Sequence, residues 1–170
     1  MQNHFELFHL PSTFAIDLNA LDRAYHDVQN QVHPDKFSTA GDAEKRVAMQ
    51  WATRANEAYQ TLKHPLKRAS YLCQLNGFDL RNESSAPMAR EFLMQQMSWR
   101  EALEEANSAN DETALSTLEA AVRQSRKDEI AGFETLFDQH DFAAAAMAVR
   151  RLMFIEKFAE EIADAYDELV

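Results

Sequence analysis

The chain has 170 residues, of which 46% are hydrophobic, and it carries a formal net charge of −11. This length suits one domain or two small ones, and the apolar content is sufficient for a core. Three widely separated glycines exclude a glycine-rich loop for nucleotide phosphates, and a single cysteine excludes an intramolecular disulfide and a multi-cysteine metal site. The scarcity of glycine and proline among many helix-forming residues predicts an all-helical protein.

The negative charge is concentrated in the second half of the chain. Residues 1–76 hold eight basic and eight acidic side chains, whereas residues 77–170 hold nine basic and twenty acidic ones. An acidic surface repels phosphate backbones, which argues against nucleic acid as a partner. No segment is long and apolar enough to cross a membrane, and the amino terminus lacks the pattern of a signal peptide. We therefore expect a cytoplasmic protein that has no membrane partner.

A helical hairpin is predicted near the amino terminus. Its first helix spans residues 18–32 with Asp17 as the N-cap, a loop covers residues 36–41, and its second helix spans residues 44–62. Apolar residues recur at helical spacing in both helices, and this spacing predicts that they are buried. They are Leu18, Leu21, Tyr25, Val28 and Val32 in the first helix, and Val47, Trp51, Ala55, Ala58 and Leu62 in the second.

Short elements flank this hairpin, and a linker follows it. Residues 4–10 are predicted as a short helix or turn that Pro11 stops, and residues 66–75 form a short helical continuation. The hairpin and its flanks define a first domain at residues 1–75. Residues 76–87 hold most of the turn-forming residues of this region and are predicted as a linker.

Three long helices are predicted for the rest of the chain, residues 88–170. Their expected limits are residues 88–109, 112–138 and 141–170. Short loops join them, which is typical of an antiparallel three-helix bundle. In the second of these helices, the polar residues Ser125 and Glu129 interrupt an apolar stripe that we expect to include Leu136.

The most informative motif is His33-Pro34-Asp35, at the tip between the two hairpin helices. Pro34 ends the first helix, because the residue before a proline disfavours the α conformation. An isolated motif of this kind could be a solvated helix stop without any further role. It also offers useful chemistry. Asp35 presents a carboxylate to a cationic partner group, Pro34 restricts the backbone beside it, and His33 can donate a hydrogen bond.

The surroundings of the motif distinguish between these interpretations. The helical hairpin with His-Pro-Asp at its tip, followed by the sequence NEAY at residues 56–59, resembles the J-domain of DnaJ-like co-chaperones over about residues 4–75. The resemblance implies that the domain docks on a DnaK-type chaperone ATPase and triggers its ATP hydrolysis. It also implies that this activity depends on His33, Pro34 and Asp35.

The chain departs from the general J-domain pattern just before the motif. Val32 occupies a position that usually holds a tyrosine, and the preceding helix, usually rich in lysine and arginine, is almost uncharged. Arg23 is the one basic residue of this helix that the resemblance implies as a chaperone contact. The resemblance therefore implies a dedicated partner chaperone rather than a general one.

The first helix of the bundle has two apolar sides. At 100° per residue, the side expected to face the core consists of Phe92, Trp99, Leu103 and Ala106. The opposite side consists of Leu93, Met94, Met97, Glu101 and Glu105. Two interpretations remain open on the pattern alone. Either the helix is buried on both sides, or an exposed apolar patch bordered by acids binds a protein.

The whole chain is similar to a specialised group of J-domain proteins. A J-domain followed by an acidic helical bundle, without a glycine/phenylalanine-rich linker or a cysteine-based zinc finger, resembles the HscB family of co-chaperones. The resemblance implies an L-shaped, all-α protein that is not itself an enzyme and holds no cofactor or metal. The implied partners are an HscA-type, DnaK-like chaperone ATPase and the IscU-like scaffold protein on which iron–sulfur clusters are assembled.

The same resemblance implies a scaffold-binding site on the bundle. The matching positions are Leu93, Met94, Met97, Glu101, Glu105 and Phe154. Ser98 stands where relatives carry another acid, which implies somewhat weaker scaffold binding. By presenting the scaffold while its J-domain stimulates ATP hydrolysis, a protein of this kind promotes cluster transfer.

Two other functions stay open from the sequence. The chain could be a J-domain co-chaperone for a different client, or it could itself carry a metal or a cluster. In the second case Cys73 is the candidate ligand, although a lone cysteine in an apolar context is usually a core residue. The histidines outside the motif are scattered and show no ligand spacing.

Overall fold

The structure, a computed structural model, describes residues 2–80 and 87–170, and every regular element in these ranges is helical, as predicted. The chain divides into two compact units, Met1–Leu72 and Cys73–Val170. Residues 81–86 of the predicted linker lie outside the described residues. The domain limits drawn from the sequence therefore stay a prediction.

The first unit is built on two antiparallel helices with a short turn between them. Asp17 caps the first helix, since its carboxylate accepts hydrogen bonds from the backbone N–H groups of Asn19 and Ala20. The limits of both hairpin helices agree with the prediction to within two residues. The loop predicted at residues 36–41 overlaps the end of a 3₁₀ turn that spans Pro34–Phe37. The elements are α1 (His4–Leu7), α2 (Leu18–Val32), a 3₁₀ turn (Pro34–Phe37), α3 (Asp42–Lys63) and α4 (Pro65–Leu75), whose residues after Leu72 belong to the second unit.

The hairpin buries less of its apolar surface than the spacing predicted. The most completely buried side chains of α1, α2 and α3 are Phe5, Leu21, Ala55, Ala58 and Leu62. Leu18, Val47 and Trp51 are 46%, 52% and 39% exposed, and the other predicted core residues of α2, apart from Leu21, are only partly buried. Each helix of the hairpin has one long neighbour, and α1 is a single turn that covers a limited area. Apolar side chains beyond these contacts remain in water, so helical spacing alone overestimated the core.

The second unit is a bundle of three long helices, α5 (Arg90–Ala109), α6 (Glu112–Asp138) and α7 (Phe142–Asp167). Asn110 and His140 adopt the left-handed conformation just after α5 and α6, with φ angles of 51° and 55°. The residue after each of them, Asp111 or Asp141, caps the next helix. These tight connections reverse the chain direction, so consecutive helices run antiparallel, as predicted.

Contacts between α6 and α7 form most of the bundle, and α5 packs against both. Trp99 of α5 stacks on Phe158 of α7, with 5.6 Å between the ring centroids. Leu136 is only partly buried, and Phe137 occupies the buried position instead. Among the helices of the described ranges, none is long and apolar enough to span a membrane.

Candidate functional site

The His-Pro-Asp motif lies at the tip of the α2–α3 hairpin. His33 ends α2 with extended backbone angles (φ −60°, ψ 137°), and Pro34 is the first residue of the 3₁₀ turn. A residue before proline favours this conformation, and proline is itself favoured at a first helical position. The side chain of Asp35 is 93% exposed and that of His33 is 58% exposed. The motif therefore presents a carboxylate and an imidazole to solvent on a restricted turn.

Hydrogen bonds inside the turn hold its backbone. The Lys36 N–H donates to the His33 carbonyl oxygen at 3.0 Å, and the Ser38 hydroxyl donates to the Asp35 carbonyl oxygen at 3.3 Å. The Asp35 N–H donates to Nδ1 of the His33 ring at 3.2 Å. The same Nδ1 lies 3.5 Å from Oδ2 of Asp35. The backbone of both chemically active residues of the motif is thus held by neighbours in the same turn.

A polar and aromatic cluster joins the two helices that carry this tip. Tyr25 of α2 stacks on Tyr59 of α3 with 4.1 Å between ring centroids, and its hydroxyl donates to the side-chain oxygen of Asn56. The Tyr59 hydroxyl donates to Asp22 at 2.7 Å and accepts from Lys63 at 2.5 Å. The hydrogen bond to Tyr59, with a smaller contribution from the charge of Asp22, raises the pKa of Lys63. Two residues of the NEAY sequence therefore connect α3 to α2.

Arg68 is a buried cation that was not predicted from the sequence. Its guanidinium donates to the carbonyl oxygens of Phe14 and Leu62, both at 2.7 Å, and it lies over the Phe14 ring. Burial lowers the pKa of Arg68. The side chain thereby ties the segment before α2 to the end of α3. Arg68 lies four residues before the apolar Leu72 on α4, so both side chains are on the same face of the helix. This spacing could have indicated that Arg68 faces inward.

Arg23 is exposed on α2 and does not belong to the turn. It precedes His33 by ten residues, which is about 15 Å along a helix axis. The structure therefore does not bring Arg23 next to the motif. A chaperone contact at Arg23 requires an interface that extends along α2, and it stays a prediction.

A second candidate site lies on α5. Leu93, Met94 and Met97 are 49%, 57% and 63% exposed, so this helix is not buried on both sides. Leu93, Met97, Glu101 and Glu105 follow one another at four-residue spacing, over about 18 Å of helix. The row is apolar in its first half and acidic in its second. The buried side of the same helix consists, as predicted, of Phe92, Trp99, Leu103 and Ala106.

The acidic half of this row has no internal partner within the described ranges. Glu101 and Glu105 are exposed, and neither forms a salt bridge or a side-chain hydrogen bond with another described residue. Arg100, the nearest cation along the helix, is engaged elsewhere. It donates to Glu161 of α7 at 3.2 Å and lies over the ring of Phe158. Both carboxylates are therefore available to cations of a partner.

Phe154 of α7 lies at the apolar end of the row. Its ring centroid is 6.3 Å from that of Phe92, the residue before Leu93, and its side chain is 47% exposed. The neighbouring Met153 is 37% exposed and was not predicted from the sequence. We refer to the six predicted scaffold-binding residues as the α5–α7 face: Leu93, Met94, Met97, Glu101, Glu105 and Phe154.

Metal ligands are not grouped anywhere in the part of the chain that the structure describes. No set of three or more histidine, cysteine, aspartate or glutamate side chains in these ranges could hold a metal ion. Cys73 is fully buried in α4, which is common for a cysteine that acts as a small apolar residue. The described residues thus provide no evident ligand set for a metal or cluster.

Sequence similarity to known co-chaperones extends over almost the whole chain. Residues 88–163 match the family described as the HSCB C-terminal oligomerisation domain. A protein of Burkholderia cenocepacia named Co-chaperone protein HscB homolog is 54% identical over 98% of this chain and 95% of its own length. A protein of Burkholderia multivorans with the same name is 53% identical over the same shares.

Solved structures share the fold. Chaperone HscB from Vibrio cholerae is 36% identical, with a TM-score of 0.85 over 99% of this chain and 100% of its own. Human co-chaperone protein HscB is 30% identical, with a TM-score of 0.89 over 96% of this chain and 81% of its own. The chain therefore belongs to the HscB family, the J-domain co-chaperones of iron–sulfur cluster biogenesis.

Proposed function

We propose that the first unit docks on an HscA-type, DnaK-like chaperone ATPase and stimulates its ATP hydrolysis. The exposed carboxylate of Asp35, held on a restricted turn by Pro34 and His33, is the observation that carries this proposal. A carboxylate carried on a fixed backbone forms a charge-assisted hydrogen bond to a cationic side chain, and the turn loses little backbone freedom on binding.

The chain supplies no catalytic group to this reaction. Hydrolysis takes place in the nucleotide site of the partner, and docking of the motif favours the partner conformation that hydrolyses ATP. Arg23 adds a single cation on α2 to the interface. A general acidic docking surface would need a more basic helix than this one, which supports a dedicated chaperone as the partner.

The α5–α7 face is the proposed binding site of the IscU-like scaffold protein. Exposed apolar side chains with an acidic border are typical of a protein-binding surface, where the apolar centre is buried and the charged rim selects the partner. Leu93, Met97 and Phe154 supply the centre. Glu101 and Glu105, which have no partner of their own among the described residues, select a basic rim on the scaffold.

Together the two sites make the protein an adaptor. A scaffold held on one unit reaches a chaperone docked on the other at a high effective concentration, so the chaperone grips it when ATP is hydrolysed. This coupling promotes cluster transfer from the scaffold. We place the function in the cytoplasm, because a buried thiol at Cys73 as the sole cysteine fits a reducing compartment.

Asp35→Asn tests the chaperone assignment. It keeps the shape of the side chain and removes its charge, so stimulation in a single-turnover ATPase assay should fall at least about tenfold. Unfolding and scaffold binding should not change, because the side chain is almost fully exposed. Asp164→Asn, at an exposed position of α7, is the matched control. Unchanged stimulation by Asp35→Asn would refute the role given to the motif.

The double variant Leu93→Ala, Met97→Ala tests the scaffold assignment. Isothermal titration with the scaffold should show binding at least about tenfold weaker, because two apolar anchors are lost. Helicity should be retained, since both side chains are exposed. Met49→Ala, which removes a methionine that is 70% exposed on α3, is the control. A large loss of helicity would instead show that these residues support the bundle.

Two measurements on the native protein distinguish the remaining alternative functions. Full ATPase stimulation without measurable scaffold binding would identify a J-domain co-chaperone for a different client. A cluster detected by visible absorption or metal analysis of the purified protein would contradict an adaptor without cofactor.

A further inference from the structure

We infer that His33 is a positioning residue for Asp35, because its ring accepts the Asp35 N–H at Nδ1 and thereby caps the 3₁₀ turn. The inference rests on the proposed chaperone docking and assigns a specific task to one member of the motif. In this assignment the His33 ring fixes the residue that carries the docking charge.

The turn needs such an acceptor. The first residues of a helical turn have N–H groups without partners inside the turn. Pro34 has no N–H, and the N–H of Lys36 is satisfied by the His33 carbonyl oxygen at 3.0 Å. The N–H of Asp35 is then the one left to a side-chain acceptor or to water. Nδ1 of His33 lies 3.2 Å from it, in the place that serine, asparagine or aspartate usually takes at an N-cap.

The hydrogen bond determines the tautomer of the ring. A ring nitrogen accepts a hydrogen bond only through a free lone pair, so Nδ1 is unprotonated and the proton of the neutral ring is on Nε2. Nδ1 also lies 3.5 Å from Oδ2 of Asp35. Since both atoms carry lone pairs in this state, the ring does not bind the carboxylate. The ring therefore orients the Asp35 backbone and leaves the Asp35 side chain to the partner.

Two amide substitutions separate this role from a direct contact with the chaperone. In asparagine the side-chain oxygen is as close to the backbone as Nδ1 is in histidine, and asparagine is among the best N-cap residues. In glutamine the amide is one carbon further out, close to where Nε2 lies in histidine, and glutamine is not a preferred N-cap. Capping by His33 thus predicts that asparagine is the better replacement. A direct contact of Nε2 with the chaperone predicts instead that glutamine is the better replacement.

The test combines spectroscopy with single-turnover stimulation of the chaperone ATPase. Nitrogen-15 spectra of the histidine rings in the full chain, recorded at an alkaline pH where imidazole is neutral, should show the His33 proton on Nε2. His33→Asn should keep stimulation within about threefold of the native protein, and His33→Gln should lose about tenfold, the range expected when an N-cap is removed. Both variants should remain folded at the assay temperature, with His33→Gln slightly the less stable because it alone loses the N-cap.

Each of several results would overturn the inference. They are protonation at Nδ1, equal activity of the two variants, or greater activity of His33→Gln. Asp35→Asn in the same assay separates this inference from the proposed function. If that variant stimulates normally, chaperone docking through the motif is wrong, whereas the ring spectra still report whether His33 caps the turn.

Discussion

Arg151 of α7 binds Glu129 of α6 through two hydrogen bonds, from Nε to Oε1 at 2.8 Å and from Nη2 to Oε2 at 3.2 Å. The two side chains are only 29% and 20% exposed. The pair explains why a glutamate interrupts the predicted apolar stripe of α6, since its charge is neutralised at the contact with α7. A bidentate pair also favours one register between the two helices, because any shift would separate both hydrogen bonds.

Glu129→Ala should destabilise the second unit by about 2 kcal/mol, because it leaves the largely buried charge of Arg151 without its partner. Urea denaturation followed by circular dichroism measures this loss. Glu119→Ala removes an exposed partner of Arg123 on the same helix and should cost less than about 0.5 kcal/mol. Similar losses in the two variants would contradict a special role for the Glu129 pair.

Arg68→Ala should destabilise the first unit by about 3 kcal/mol, because two carbonyl oxygens lose a charged donor inside the protein. Arg68→Lys should recover little of the lost stability, since one ammonium group does not reproduce the planar set of N–H donors of the guanidinium. Hydrogen exchange of the α3 amides reports the change. Lys67→Ala, at the exposed neighbouring position, should have an effect within about 0.5 kcal/mol.

Tyr59→Phe should lower the pKa of Lys63 towards its ordinary value, because it removes the hydroxyl that accepts from the ammonium group. A raised pKa in the folded state stabilises the fold at pH values below the unfolded pKa of lysine, about 10.4, and this contribution is lost as the pH rises through the folded pKa. Titration of Lys63 by nuclear magnetic resonance checks the shift. Tyr166→Phe, on α7, should leave the Lys63 titration unchanged.

His4 should make the first unit sensitive to mild acid. Its ring stacks on Tyr71 at 4.3 Å, and burial lowers its pKa, with Glu57 opposing and Arg54 adding to the shift. A lowered pKa leaves full stability above the unfolded value of about 6.5 and reduces stability as the pH falls below it.

His4→Gln should therefore flatten the pH dependence of the unfolding midpoint between about pH 7 and pH 5. His26→Gln, at an exposed position of α2, is the control. If the two variants show the same slope, burial of His4 does not set the acid response.

Ser98→Glu should strengthen scaffold binding up to about fivefold at low salt, because it adds an acid beside the α5–α7 face and exposed ion pairs contribute up to about 1 kcal/mol. Isothermal titration at two salt concentrations measures the gain, which should shrink at the higher one. Ser116→Glu, at an exposed position of α6, should give no gain. An equal gain there would indicate a general charge effect.

Helix positions were predictable where local chemistry determines them. The limits of α6 were predicted correctly, and Asp17 caps α2, because periodicity and capping depend on residues close in sequence. The helical wheel also placed Phe92 and Trp99 on the core side and Leu93 and Met97 opposite them, but it left open whether the second side is exposed, which the structure shows.

Contacts between helices were not predictable in the same way. The stacking of Tyr25 on Tyr59 depends on how two helices are rotated about their axes, and the pattern of a single helix does not contain this rotation. The burial of Val47 and Trp51 was overestimated for a related reason. Their spacing specifies a face of α3, but whether a neighbour covers that face depends on the length and position of α1.

The division between the two compact units falls after Leu72, inside α4, so a J-domain fragment cut at that division would be cut within a helix. α4 ends at Leu75, Gly77 just beyond it adopts a φ of 91°, and the Phe78 N–H donates to the Cys73 carbonyl oxygen at 2.9 Å. A fragment truncated at Leu72 would lose the last turn of this helix together with its terminating hydrogen bonds. A fragment that extends through Phe78 would retain both and fray less at its carboxyl end.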